Sequence, residues 1–245
     1  MTNYEFMRWA TFSIMPTHLV TVRNDIKRLI KSSKSNKSKM SVLDVGGRKS
    51  PYTINIPANI TLLDVPQESG TREELNLGFT KNILKTIQKK RSNIKDLVVQ
   101  DMTESTLEDA SYDAVVCIEV IEHVEKDDIF VKNISKAIDK GGWAYFTTPN
   151  GDFIKNEGPD KNPDHVRHYT RQELQTLLEK YFDSVDVHYA VKTGKYRVQG
   201  LKSYSLKNPI GLIKSVFSNI INRFQSKNSA NSKVNTAHLI GIAYK

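Results

Sequence analysis

A chain of 245 residues with 38% hydrophobic and 26% charged residues has ordinary globular composition and is long enough to bury a substantial core. Its single cysteine, Cys117, excludes an internal disulfide, and no run reaches the roughly 18 apolar residues that a membrane span needs. The net charge of +9 is concentrated: Val187 to Lys245 contains no Asp or Glu, while Lys192, Lys195, Arg197, Lys214, Arg223 and Lys227 are among its bases. Such a block suits an anionic neighbour (nucleic acid, phospholipid headgroups, an acidic substrate) or serves as a solvated face.

In chain order, "MTNYEFMRWATF" carries Glu5 and lacks a basic segment leading into a long apolar one, so it does not read as a secretory signal. The expected compartment is therefore the cytoplasm. Residues 17–31 place Leu19, Val22, Ile26, Leu29 and Ile30 on one side of a helix, and "SSKSNKSK" reads as a linker. Residues 1–39 thus form an N-terminal helical extension. Short apolar runs follow at 40–45, 60–65, 96–101, 112–120 and 141–149, apolar on both faces, as in a parallel sheet covered by helices. Helices are expected over "KDDIFVKNISKAIDKGG", with glycine as C-cap, and over "TRQELQTLLEKYF", where Thr170 and Glu173 form a capping-box pattern. "SVDVHYAV" reads as a half-exposed strand.

The fold class is therefore α/β: a Rossmann-like doubly wound sheet of about seven strands with helices on both faces. The core spans 40–193, a basic insert spans 194–235, and 236–245 returns as the final strand. In the insert, Ile210, Ile213, Phe217, Ile220, Ile221 and Phe224 fall on one helical stripe. Such a stripe packs on its own domain or lies on a membrane surface, and packing is the expectation.

In an open parallel sheet the ligand sits beyond the carboxyl ends of the strands. The first strand ends at Asp44-Val45-Gly46-Gly47, where glycine permits a sharp turn close to a ligand. The second ends at Asp64, placed to accept hydrogen bonds from two ribose hydroxyls. Asp101-Met102 suits an adenine amino group and ring face, and the fourth strand ends at Glu119. No cysteine–histidine cluster suggests a metal, and no phosphate-cradling G-x-x-x-x-G-K-[ST] occurs.

"VLDVGG", "TLLDV", "VVQDM", "SYDAVVCIEVIEHVEKDDIFVKNISKAIDKGGWAYFTTPN" and "DHVRHYTRQELQTLLEKYF" resemble the successive motifs of class I S-adenosylmethionine-dependent methyltransferases, near the methyltransferase type 11 group of small-molecule and glycan enzymes. The resemblance implies a last strand that runs antiparallel. It also implies S-adenosylmethionine as cofactor, with Asp44, Gly46, Gly47, Arg48, Asp64, Asp101, Met102 and Glu119 around it. The family's D-x-G-x-G-x-G is altered here, since Arg48 and Ser50 replace later glycines. Arg48 or Lys49 would then meet the cofactor's carboxylate.

Methyl transfer requires the acceptor atom to be held in line, and a hydroxyl or amine acceptor gains from a base. His165 is the first candidate and His123 the second, with Arg167 and Tyr169 as substrate contacts. His18, His188 and His238 read as structural. The leading expectation is O-methylation of a small molecule, a sugar or a lipid-linked intermediate, with peripheral contact to an anionic membrane through the basic insert. An RNA-directed methyltransferase and a non-catalytic scaffold are the alternatives.

Overall fold

The computed structural model describes residues 1–33, 38–47, 50–65, 81–198 and 208–245. The chain-order elements are α1 (Asn3–Ala10), α2 (Thr17–Ser32), β1 (Ser41–Val45), β2 (Asn59–Asp64), α3 (Lys81–Lys90), β3 (Ile94–Val99) and β4 (Tyr112–Ile118). They continue with α4 (Asp127–Ala137), β5 (Ile138–Pro149), α5 (Arg171–Glu179), β6 (Ser184–Lys192), α6 (Pro209–Ser226) and β7 (Thr236–Tyr244). Among the described residues one sheet forms, in the order β3-β2-β1-β4-β5-β7-β6. Every described pairing is parallel except those of β7, which runs antiparallel to both β5 and β6. The expected doubly wound sheet with its reversed last strand is what the chain forms.

Both faces of the sheet are covered. Phe130, Ile134, Leu174 and Leu178 from α4 and α5 pack on one side against Val115, Cys117 and Phe146. Val22, Ile26 and Leu29 of α2 pack on the other against Val42, Val116 and Tyr145. Burying each such aliphatic side chain contributes about 1.5–3 kcal/mol. β3 departs from the expected two-sided burial, because it is the sheet's edge and leaves Val99 46% exposed. The second half of β6 is more buried than its alternation suggested, since β7 and α6 lie against it.

The helix before β5 stops earlier than expected. Its C-cap is Ile138, fully buried and already extended, and the two glycines lie inside β5. Gly142 is needed there because a Cβ would stand 2.5 Å from the carbonyl oxygen of Asp113. The capping box at Thr170 and Glu173 forms as the spacing predicts.

α6 overturns a second expectation. Its apolar stripe does not pack inward: Ile210, Ile213, Phe217 and Phe224 are each more than half exposed. The buried face is polar, formed by Ser215, Asn219 and Asn222. Asn219 donates to the Ile14 carbonyl and Asn222 to that of Lys192, so the helix is held by side-chain-to-backbone bonds.

Candidate active site

The strand order sets the ends of β3, β2, β1 and β4 side by side, so one crevice receives whatever follows each. Beyond β1 the chain turns at Gly46, with φ +71°, and the Gly46 amide donates to the Leu63 carbonyl at 2.8 Å. A Cβ on Gly46 would stand 2.5 Å from Val120 Cγ2, and one on Gly47 2.7 Å from Asp44 Cγ. The turn is pressed against its neighbours and has no room for a side chain at either position. Arg48 and Lys49 lie outside the described residues.

Asp64 stands half-buried at the tip of β2, and Asp101 is exposed, its carboxylate accepting from the Thr103 amide at 2.7 Å. Two expected cofactor residues are enclosed instead. Asp44 is 1% exposed and accepts from the Thr53 hydroxyl, which in turn accepts from Arg91 at 2.6 Å. Burial raises its pKa, and Arg91 and Thr53 oppose that rise. Met102 sits in the core with Leu63 and Val131. Both therefore support the loops from behind, because the chain folds over them.

Glu119 ends β4 in a left-handed conformation, φ +54°, that a non-glycine residue rarely adopts. Its amide is pinned to the Thr147 carbonyl at 3.0 Å. The carboxylate accepts from the Thr147 hydroxyl at 2.8 Å and lies 3.1 Å from His238 Nδ1. Burial alone would raise its pKa, but His238 and Thr147 outweigh burial and hold it below the usual range.

His18 and His238, read from sequence as structural, belong to this crevice. β7 runs antiparallel, so its first residues arrive where the parallel strands end, and His238 comes with them. The start of α2 brings His18 to 3.3 Å from His238 Nε2. His18 Nε2 ends 4.0 Å from Glu119, buried and without a hydrogen-bond partner. Burial and the neighbouring His238 hold the His18 pKa down to about 3, so it is neutral at pH 7. A cleft of about 240 Å³ opens here, walled by His18, Tyr52, Glu119, Arg197, Asn222 and His238. A larger groove, about 520 Å³, runs along α5 past Asp152 and Tyr189. It lies away from the ends of β1, β2 and β4, and Asp152 and Tyr189 are bonded to each other within it, so the smaller cleft is the candidate site.

The remaining predicted residues gather beside it. His123 Nδ1 donates to the Asp164 carbonyl at 2.7 Å, leaving Nε2 with its lone pair. His168 Nδ1 donates to the Ile154 carbonyl, so His168 Nε2 must accept from His165 Nδ1, 2.7 Å away. His165 Nε2 is then bare as well. Burial, His123 and His168 hold the His165 pKa down to about 4. Glu122 is 1% exposed, and burial with the Glu119 charge pushes its pKa well up. One ligand atom from each of Glu122, His123 and His165 lies within 4.8 Å of the others, so these are residues that could hold a metal ion. His18, Glu119 and His238 meet the same spacing, but Arg197 Nη2 stands 3.1 Å from His238 Nε2, and a guanidinium there repels a cation. The sequence showed no such cluster because its members come from separate segments.

Arg167 and Tyr169 are engaged within the fold. Both bond Asp127 Oδ2 at the start of α4, Tyr169 at 2.6 Å, and Tyr169 is 4% exposed. Of the histidines expected to be structural, only His188 meets that expectation, paired with Asp186 on the outer part of β6.

Comparison with known proteins bears on the fold and the family. Residues 20–181 match the family model described as a methyltransferase domain. The ubiquinone biosynthesis O-methyltransferase of Rickettsia bellii (strain OSU 85-389) is 27% identical over 171 residues, 64% of this chain and 66% of that protein. The mitochondrial ubiquinone biosynthesis O-methyltransferase of Dictyostelium discoideum is 24% identical over 59% of this chain and 49% of its own. The chain thus spans less than two thirds of either relative. Among solved structures, a SAM-dependent methyltransferase from Archaeoglobus fulgidus shares the fold with a TM-score of 0.56 over 98% of this chain and 99% of its own, at 14% identity. Phosphoethanolamine N-methyltransferase 2 of Haemonchus contortus, crystallised with S-adenosyl-L-methionine, gives a TM-score of 0.53 at 14% identity, over 91% of this chain and 52% of its own. With a match over residues 20–181 the chain belongs to the methyltransferase-domain family, and its fold is that of solved S-adenosylmethionine-dependent methyltransferases.

Proposed function

We propose that the chain methylates a hydroxyl of a small or lipid-linked acceptor seated in the cleft between α2, β4, β7 and α6. The observation that carries this reading is the junction at Glu119: the Gly46-Gly47 turn and Asp64 follow strands on one side of β4, and a cleft walled by His18, Tyr52 and His238 opens toward the other. The residues fit the cofactor: a flat glycine turn for close backbone approach, and Asp64 to accept from ribose hydroxyls. When bound, S-adenosylmethionine supplies a methyl group on a sulfonium.

The chain's own part is to bind, orient and take a proton. Glu119 fixes His238 with Nδ1–H toward the carboxylate, which turns the Nε2 lone pair toward Arg197 and His18. That lone pair accepts from Arg197 Nη2 at 3.1 Å, so an acceptor hydroxyl meets it by taking the guanidinium's place, with Arg197 turning to an anionic group of the acceptor. Tyr52, 5.5 Å from the His18 ring, closes the wall against water. The Rickettsia and Dictyostelium relatives, both named as O-methyltransferases, support oxygen as the accepting atom.

Isothermal titration of the full chain with S-adenosylmethionine and with its demethylated product tests the site. Micromolar binding that disappears in Asp64→Ala is expected, followed by labelled methyl transfer to phenolic or sugar hydroxyls. No binding of either ligand would overturn the reading.

A further inference from the structure

We propose that α6 is a membrane-docking helix that seats the protein on an anionic bilayer. The observation is its inverted orientation. At about 100° per residue, Ile210, Ile213, Phe217, Ile220, Ile221 and Phe224 fall within an arc of roughly 100°. They are exposed by 67, 57, 62, 39, 37 and 65%. The helices over the sheet do the opposite: α2, α4 and α5 bury their aliphatic faces. On α6 the inward face is Ser215, Asn219 and Asn222, held by side-chain bonds to the backbone of neighbouring segments. Arg223 adds bonds to the carbonyls of Ser13 and Met15, so the orientation is fixed at several points along the helix.

Charge identifies the occupant. Lys214 and Lys227, both exposed, fall on opposite flanks of the apolar arc, where long cationic side chains reach headgroups while the apolar face enters the acyl boundary. No acid occurs anywhere from Val187 to Lys245 to oppose an anionic surface. A second copy of the chain would bring the same lysines against themselves around a two-fold contact. RNA would require aromatic rings interleaved with the bases, but Phe217 and Phe224 lie within the aliphatic stripe. No helix among the described residues is long and apolar enough to cross a membrane, so α6 lies on the surface. Because Asn222 on its inner face also lines the cleft, docking would set the acceptor site beside the lipid.

The test is co-sedimentation of the full chain with vesicles of phosphatidylcholine containing phosphatidylglycerol, and with pure phosphatidylcholine. Binding to the anionic vesicles is expected, with much weaker binding to neutral ones and in high salt. Ile213→Asp with Phe217→Asp should lower the bound fraction at least tenfold, and Lys214→Ala with Lys227→Ala should lower it several-fold. Both variants should keep the wild-type melting temperature and S-adenosylmethionine affinity, since these side chains are exposed. Wild-type protein left in the supernatant with both vesicle types would overturn the proposal. So would aspartate variants that sediment like wild type, or a dimer in analytical ultracentrifugation that those variants abolish while vesicle binding is absent. The outcome is independent of which acceptor is methylated.

Discussion

His238 Nδ1 and Glu119 Oε1 lie 3.1 Å apart, although 119 residues of chain separate them. One ends a parallel strand and the other opens an antiparallel one, so the reversal of β7 is what brings them together. The pair has the form of a carboxylate that orients an imidazole for proton transfer. His238→Gln should therefore lower kcat for methyl transfer about 100-fold, with S-adenosylmethionine affinity near wild type. Single-turnover assays beside titration would separate the two effects. If kcat is unchanged, the proton goes elsewhere, and His165 becomes the next candidate.

How far the sequence could be read follows from the same pair. Glu119 was visible because strand ends are local: an apolar run, then an acid. His238 was not, because strand alternation alone places it on β7 without saying which end of the sheet β7 begins at. A signal existed, though, since a last strand expected to run antiparallel must start at the carboxyl edge of the others. His18 carried no signal, as the docking of α2 depends on contacts more than 200 residues away. The sequence located α6's stripe, but periodicity says only that a helix has two faces. The opposite face, Ser215, Asn219 and Asn222, is small and polar, and such a face can bond to backbone when buried. Asp44 and Met102 match the family motif by position, and what position alone does not show is that the chain closes over both.

Gly46 offers a direct test of the cofactor turn. Its φ of +71° costs any other residue about 1 kcal/mol or more, and an added Cβ would meet Val120 at 2.5 Å. Gly46→Ala should lower stability by about 1–3 kcal/mol and weaken S-adenosylmethionine binding more than tenfold. A thermal melt and a titration on the same sample check both. Unchanged cofactor affinity would remove Gly46 from the site.

Cys117 should be inert. It is fully buried in β4, and burial with the nearby Glu122 and Asp44 pushes its thiol pKa well above the usual value. Ellman's reagent should label no thiol in the folded protein and one per chain in guanidinium. Rapid labelling under native conditions would mean that β4 opens on the assay timescale.

The N-terminal helix should come loose in acid through Glu5. This residue is fully buried, and its carboxylate accepts from the amides of Thr2 and Ser92, both at 2.7 Å, and from the Ser92 hydroxyl at 2.9 Å. Burial pulls its pKa up, but the hydrogen bonds prevail and the folded-state value lies below the usual 4.5. A depressed pKa means that the folded state binds its proton less readily than the unfolded state. The stabilisation is therefore complete above pH ~4.5 and is lost as the pH falls through the folded value. At pH 7, Glu5→Gln should cost about 1–3 kcal/mol, the scale of charge-assisted bonds lost to a buried carboxylate. In urea unfolding the gap between wild type and variant should narrow steadily from pH 5 to pH 3, and α1 amides should lose hydrogen-exchange protection over the same range in wild type only. A gap that stays constant across that range would show that the Glu5 contacts hold α1 by shape rather than by charge.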